Sequence, residues 1–521
     1  MLLKKADLYL VGLAMMAIGL PVSEFLMSLS FMILALAWLI NGPKKTQWNA
    51  VKNNKLVWTG LILFLIPLVS FLWSENEGYA LHDLRIKLPL LLIPFFIASY
   101  ELKERNFFIL LALLIGSTFV GSIILYINYH YFQSDKHQDL REISIFISHI
   151  RFSLILDICI YILIYAAIKW RNKYSIIAIL MAMWFIYFIF FLGSGNGFIA
   201  LLVIFIFGIA LLLFKSPYKK LSYTIGLLFF AFSAYILYLS NHSYRSHFVV
   251  KNESYNDSKK VVKKGSDYFS LSNDKQLENG YYIWRNISNP ELEKEWKAIC
   301  SPEFIEVDAS GQDIEGTLIR YLTSKALTKD SAGVHQLAKQ DIENIQNGNY
   351  NYQQNEWNNL ELRIDQLFYQ LMAYYYQNDP GNKPFLQRVY YWRAAIEIIA
   401  SNPFYGVGVG DIQVEFNKYF ASEVKELDQK YWHHTHNQYL TYFVISGIFG
   451  FLAFLWAVFY PLSMYIKRNS ILALAQIVLL FSFLSEDTLE TQAGVTLYVL
   501  FLALAIALFN EKDERLKTED R

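Results

Sequence analysis

Apolar runs of roughly 17 to 25 residues recur along this chain, each about long enough to cross a ~30 Å hydrocarbon core as a helix. Helices are predicted at 7–21, 24–40, 56–73, 88–100, 106–132, 149–168, 175–192, 198–214, 221–240, 437–461, 470–484 and 493–509. The expected fold is an all-α polytopic integral membrane protein with about 12 transmembrane helices. A transmembrane barrel would show short alternating segments, and these runs do not alternate. Only 17% of residues are charged, against about a quarter in a soluble globular protein. Lys4 and Lys5 precede the first run without a small-residue cleavage site, so it reads as a membrane segment rather than a cleaved signal peptide. Pro21 and Ser23 separate the first two runs. Read as one kinked element, those runs would invert everything downstream.

Basic residues favour cytoplasmic loops. With the N-terminus inside, the inner loops are 41–55 (Lys44, Lys45, Lys52, Lys55), 101–105, 169–173 (Lys169, Arg171, Lys173), 215–220 (Lys215, Lys219, Lys220) and 465–468 (Lys467, Arg468), with the tail 510–521 inside as well. Residues 1–240 then hold helices one to nine, 241–436 form a large extracytoplasmic loop, and 437–509 hold helices ten to twelve. The loop is too polar to lie in a membrane and too rich in Trp, Tyr and Leu to be wholly disordered. Within it, 317–346 and 358–378 are predicted as amphipathic helices. Cys159 lies in an apolar run and Cys300 in the loop, so no disulfide is expected between them.

The net charge of +1 implies no nucleic-acid partner, and no P-loop, zinc-ligand set or dinucleotide fingerprint is present. Gly406, Gly408 and Gly410 in GVGVGD follow no buried strand and read as a tight turn closing a helix at about 386–401. His433, His434 and His436 with Asn437 form the densest polar cluster. No cysteine accompanies them, so a metal site is disfavoured and no cofactor is expected; an interfacial loop with polar anchors and a general base at the membrane surface are the two readings left open. Outward-facing arginines oppose the charge rule. These are Arg388 and Arg393 on the helix at 386–401, Arg151 at the head of the sixth span, and Arg85 with Lys87 before the fourth. A guanidinium binds phosphate through paired, charge-assisted hydrogen bonds. Glu486, Asp487 and Glu490, at the outer end of the last two spans, could bind an acceptor or cap helices.

From Arg388 to Gly450 the sequence resembles the O-antigen ligase and O-antigen polymerase superfamily of bacterial membrane glycosyltransferases. RVYYWRAAIEIIASNPFYGVGVGD is similar to that family's Arg-x3-Trp helix followed by Asn-Pro and a Gly-x-Gly turn. HNQYLTYFVISGIFG matches the ligase-type pattern of His, Asn, nine residues, Gly, two residues, Gly, here His436, Asn437, Gly447 and Gly450. SHIRFS, KLPLLLIP and SEDTLETQAG look like members from Bacteroidetes-type bacteria. The resemblance implies that His436 activates an acceptor hydroxyl and that Arg388 contacts the diphosphate of an undecaprenyl-diphosphate-linked glycan. It also leads one to expect an arginine in a Ser-Arg-x-Gly turn, where this chain has Ser194-Gly195-Asn196-Gly197. Arg151 or Arg85 could stand in for it, with Lys87, Arg393, Asn437 and Glu490 as further substrate contacts.

The function implied is metal-independent transfer of a preassembled glycan from undecaprenyl diphosphate to lipid A–core at the periplasmic face of the inner membrane, both termini being cytoplasmic. A repeat-unit polymerase, a protein O-oligosaccharyltransferase and a lipid or solute transporter are the alternatives. A transporter would place charges inside its spans. Here Asp157 in the sixth span is the exception, and the polar residues gather at the outer face.

Overall fold

A computed structural model describes residues 5–41, 45–132, 144–170, 172–215, 219–251, 275–299, 307–309, 311–377, 383–424 and 427–519. The helices in chain order are α1 Lys5–Val22, α2 Glu24–Asn41, α3 Lys45–Asn53, α4 Lys55–Ser70, α5 Glu77–Ile97, α6 Glu104–Phe132, α7 His149–Trp170, α8 Lys173–Leu192, α9 Gly195–Lys215 and α10 Lys219–Phe248. A small antiparallel pair follows, β1 Leu277–Glu278 with β2 Tyr281–Tyr282. Then come α11 Asn289–Ile299, α12 Ile314–Ser324, α13 Ser331–Val334, α14 Lys339–Gln346, α15 Asn359–Gln377, α16 Pro384–Ser401, α17 Ile412–Glu423, α18 Gln438–Arg468, α19 Ser470–Ser482 and α20 Gln492–Glu519. The chain separates into two compact units. The first comprises Met1–Asn128, Arg141–Pro217 and Arg388–Arg521, and the second Tyr129–Leu140 and Tyr218–Gln387.

Among the described residues seven helices are long and apolar enough to cross a membrane, and Leu8–Val22, Gly195–Gly208 and Ser470–Ser482 are shorter apolar helices. The predicted segment 88–100 falls on α5, which starts earlier, at Glu77, and carries Asp83, Arg85 and Lys87 in its first half. The segment 221–240 lies within α10. The first two runs form a helical hairpin. A Cβ on Gly12 would stand 2.7 Å from the Leu34 side chain, whereas one continuous helix would hold those residues about 33 Å apart at 1.5 Å per residue.

In the first unit α18 is broken in the middle. Gly447 has φ 63° and ψ −166°, a region open almost only to glycine. The segment after α16 fills the break. Val407 N donates to Val444 O, Gly408 N to Ile445 O, and Ile448 N to Pro403 O. The carbonyls and amide that the helix leaves unpaired are thereby satisfied within the protein, as non-helical backbone at membrane depth requires. A Cβ at Gly447 would meet Phe404 O at 2.2 Å, and one at Gly406 would meet Val444 O at 2.4 Å. The GVGVGD segment is thus the expected turn, and its glycines permit close backbone contact. Asp411 ends it by accepting from Glu75 N and Asn76 N at 2.8 and 2.9 Å.

The second unit has its own core, including Leu277, Ile283, Trp296, Ile319, Leu322 and Met372. The stretch 317–346, predicted as helix, is interrupted. Ala326 takes a left-handed φ of 56° and Asp330 caps the single turn of α13 by accepting from Gly333 N, so that α12 and α14 are separate. The prediction over 358–378 corresponds to α15. Cys300 lies outside the described residues, as do Lys44 and Arg171.

Candidate active site

The candidate residues meet where the starts of α7, α9 and α16, the segment 433–437 and the segment 483–490 come together in the first unit. Arg388, in the first turns of α16, sends Nη2 to Glu486 Oε1 at 2.8 Å and Nε to Ser485 O at 3.3 Å. One turn on, Trp392 Nε1 donates to Thr435 O at 3.0 Å. The Arg-x3-Trp spacing therefore lets one helix face hold both segments, because residues four apart share a face. Arg151, third residue of α7, lies with Nη1 3.9 Å from Glu486 Oε2 and Nη2 3.4 Å from Asp487 O. His436 Nδ1 is 3.9 Å from the same Glu486 oxygen. Arg388, Arg151 and His436 thus surround one carboxylate. Burial pushes the Glu486 carboxyl up, but His436 and the two arginines outweigh it and hold it below its usual value.

His436 has a left-handed φ of 44°, uncommon for a residue with a side chain and a form of strain that gathers at functional sites. Its neighbours impose it. Asn437 caps α18, its side chain accepting from Tyr439 N and Leu440 N. Asn437 N donates to Asp487 Oδ1 at 3.1 Å and Nδ2 to Leu484 O at 3.0 Å. The His436 ring lies 5.6 Å from Tyr391 and 6.4 Å from His434, the latter stacked.

Beneath this layer is a second histidine–acid contact. His434 Nδ1 is 3.0 Å from Asp487 Oδ2, close enough for charge pairing but without the alignment of a hydrogen bond, since neither atom has a hydrogen-bond partner. Asp487 Oδ1 accepts from Thr441 Oγ1 at 2.6 Å and Thr435 Oγ1 at 3.1 Å. Burial lowers His434, yet Asp487 more than reverses this and raises it. Burial raises Asp487, yet His434, His436 and Thr441 keep it well below the usual carboxylate range. His433 moves down, through burial and its two imidazole neighbours. Deeper still, fully buried Lys87 pairs with Asp83 at 2.8 Å and with Glu490 at 2.8 Å, and Gln438 Nε2 donates to Glu490 Oε1 at 2.9 Å.

Two sequence candidates stay apart from this group. Arg85 is exposed and lies 3.4 Å from His82. Arg393, five residues after Arg388, sits about 140° round the helix from it and is exposed. Asp487, Gln438 and Asp83 were not singled out by sequence as partners. Their pairing runs between segments far apart in the chain, and no local spacing signals it.

Among the described residues His247, Glu278 and Asp365 in the second unit could offer ligand atoms to a metal, all within 4.8 Å of one another. The positive charge is already supplied there. Arg320 bonds Glu278 through Nη2 at 2.7 Å and lies between the Tyr350 and Tyr369 rings, 3.8 Å from each. His247 spans Leu277 O and Asp365 Oδ1, 2.9 Å from each. This is a closed ion-pair network.

Residues 334–455, which include Arg388, the three histidines and both signature glycines, match the model of the O-antigen ligase family (Wzy_C). This match supports the O-antigen ligase superfamily. The family supports O-antigen ligase or related polymerase activity, a glycosyltransferase-like ligation with glycan and lipid-linked substrates. A search of curated proteins found no match to the chain.

Proposed function

We propose that the chain transfers a preassembled glycan from undecaprenyl diphosphate to an acceptor hydroxyl, foremost that of lipid A–core, at the periplasmic face of the inner membrane, with both termini cytoplasmic. The observation that carries this reading is the shared contact of Arg388, Arg151 and His436 with Glu486. It gathers two guanidiniums and one imidazole at the ends of apolar helices, where a lipid-borne substrate can arrive laterally and a sugar from water.

The acceptor oxygen attacks the anomeric carbon. The bond from that carbon to the phosphate oxygen breaks, His436 takes the hydroxyl proton, and undecaprenyl diphosphate leaves. Diphosphate is a good leaving group, so the barrier falls chiefly through stabilisation of its growing charge, which the arginines supply, and through orientation of the acceptor. A guanidinium does this without a metal ion. The polar groups of Asn437 are spent on the cap and on segment 483–490, so its part is to hold the His436 backbone. Lys87 and Glu490 form the footing below. Arg85 and Arg393 are assigned to lipid headgroups.

The test is a surface-glycan profile of wild type, a deletion, and the deletion carrying His436→Ala. Bare lipid A–core, long glycans retained on undecaprenyl diphosphate, and no rescue by His436→Ala are expected. Core capped by a single repeat in the deletion would make the protein a polymerase. An unchanged profile, or rescue by His436→Ala, would sink the mechanism.

A further inference from the structure

We infer that Arg285 and Lys329, with the tyrosines beside them in the second unit, form a subsite for an anionic sugar, a glycan residue that carries a carboxylate or a phosphate. The sugar half of this assignment rests on the glycan chemistry proposed above, and the anion half rests on the side chains themselves. The turn after β2 folds over Lys329. The Lys329 ammonium donates to Tyr282 O and, at 3.0 Å, to Arg285 O, and Ser288 N donates to Lys329 O at 2.9 Å. Lys329 is 7% exposed. A charge so deeply buried is normally paired with an opposite one. Here the charged neighbour is a second cation, Arg285, and among the described residues no carboxylate bonds either side chain. The acids close to Lys329 are engaged elsewhere. Asp330 Oδ1 accepts from Gly333 N, and Glu291 Oε2 accepts from Ser331 N.

The two carbonyl bonds account for Lys329 as a clip on the turn, but they do not account for Arg285. Its Nε is buried with no hydrogen-bond partner, and its guanidinium carbon lies 3.5 Å from the centre of the Tyr282 ring. The ring face steadies the cation but accepts none of its in-plane donors. An ammonium has three donors, and Lys329 uses two. Unspent donors therefore remain on two adjacent cations, and an oxyanion would complete both through charge-assisted bonds. Burial, and then the Arg285 charge, bring Lys329 down to about 7, so an arriving anion also holds a proton that the pair otherwise begins to lose at neutral pH. The tyrosines favour a sugar as the carrier of that anion. Tyr376, near the end of α15, is close enough to Tyr282 for the two phenols to interact, and it meets Tyr375 edge-on at 5.0 Å. Tyr375 is 75% exposed. A tyrosine offers an apolar face and a polar tip, which suits the C–H face and the hydroxyls of a pyranose.

The experiment measures, by calorimetry, binding of three glucose trisaccharides to the full-length protein in lipid nanodiscs. One is neutral, one ends in glucuronate and one ends in glucose 6-phosphate. Wild type should bind an acidic form about tenfold or more tighter than the neutral one, the worth of one charge-assisted hydrogen bond. The tighter of the two acidic forms identifies the anion as carboxylate or phosphate. Arg285→Gln should erase the preference and keep both the neutral affinity and the thermal midpoint, because Arg285 holds the turn through its carbonyl and not its side chain. Arg388→Gln should leave the preference intact. Lys329→Met removes two turn bonds and is therefore read through pH. In wild type the glucuronate preference should fall by up to about tenfold between pH 6 and 8, as Lys329 loses its proton, and Lys329→Met should lack that slope. Equal preference in wild type and Arg285→Gln, or its loss in Arg388→Gln, puts the anion elsewhere and overturns the inference. Equal binding of all three trisaccharides overturns it while the glycan reading stands. Binding of none overturns the sugar assignment, and the surface-glycan profile then decides the transfer reading by itself.

Discussion

The Arg388 guanidinium lies 2.8 Å from the Glu486 carboxylate although 98 residues separate the two in the chain. The pair joins the start of α16 to the turn between α19 and α20, and it fixes where the guanidinium can present its remaining donors.

Glu486→Gln keeps the shape of the side chain and removes the charge shared by Arg388, Arg151 and His436. Hydrogen bonds to charged groups contribute about 1.5–3 kcal/mol. Transfer in a reconstituted assay should therefore fall by about 10- to 150-fold, with Glu486→Asp intermediate. Activity within about twofold of wild type would show that the carboxylate does not orient the arginine.

Lys87→Met leaves Asp83 and Glu490 buried side by side without their cation. Breaking a buried pair by removing one partner costs about 3–5 kcal/mol, so the thermal midpoint of the purified protein should drop markedly. The triple change Lys87→Met, Asp83→Asn, Glu490→Gln should recover most of the loss. A midpoint unchanged in Lys87→Met alone would contradict this account.

The His434–Asp487 contact gives a pH signature. A histidine raised above its ordinary 6.5 adds stability that is complete below that value and lost as pH climbs through the folded one. An aspartate lowered from 3.8 adds stability that is present above that value and lost as pH falls through the folded one. The pair therefore stabilises from about pH 4 to somewhat above 6.5. The comparison is between wild type and His434→Gln, in which the opposing downward shift of His433 also shrinks because His434 is one of its causes. The difference in thermal midpoint should be largest near pH 5–6 and shrink above 7. A difference that grows towards alkaline pH would rule out the imidazolium.

Gly447→Ala should be among the most damaging small substitutions in the chain. Holding an alanine in that glycine-only backbone region costs on the order of 1–3 kcal/mol, and the new methyl would also lie 2.2 Å from Phe404 O. Gly116→Ala, where a Cβ meets nothing within 4 Å, serves as the benign comparison. Equal thermal midpoints for the two variants would refute the packing described for segment 402–411.

Long apolar helices were legible because lipid demands length and hydrophobicity, which a sequence displays directly. Arg388, His436 and Asn437 were legible through motif spacing within one stretch. The partners that hold them were harder to read. Glu486 and Asp487 read equally as acceptor-binding or capping residues, because a carboxylate at a helix end has either local use, and only the packing of α7 and α16 against their turn makes them ion-pair partners. Lys87 looked like an outward cation but is buried, because Glu490 lies 403 residues away in sequence and 2.8 Å away in space. The helix expected over 317–346 failed at Ala326, a residue of high helical propensity set in a turn by the surrounding structure.

The break at Gly447 also sets an angle. The stretch from the Asn437 cap to Gly447 is a short screw clamped at both ends, at its first end by Asp487 and at its last by the backbone of segment 403–408. Each residue added to or removed from it would turn the Asn437 end by about 100° and shift it by about 1.5 Å. Such a change would swing His436 away from Glu486 without altering any side chain. The nine-residue spacing therefore works as a gear setting, and the length of that segment is as strict a requirement as the histidine itself.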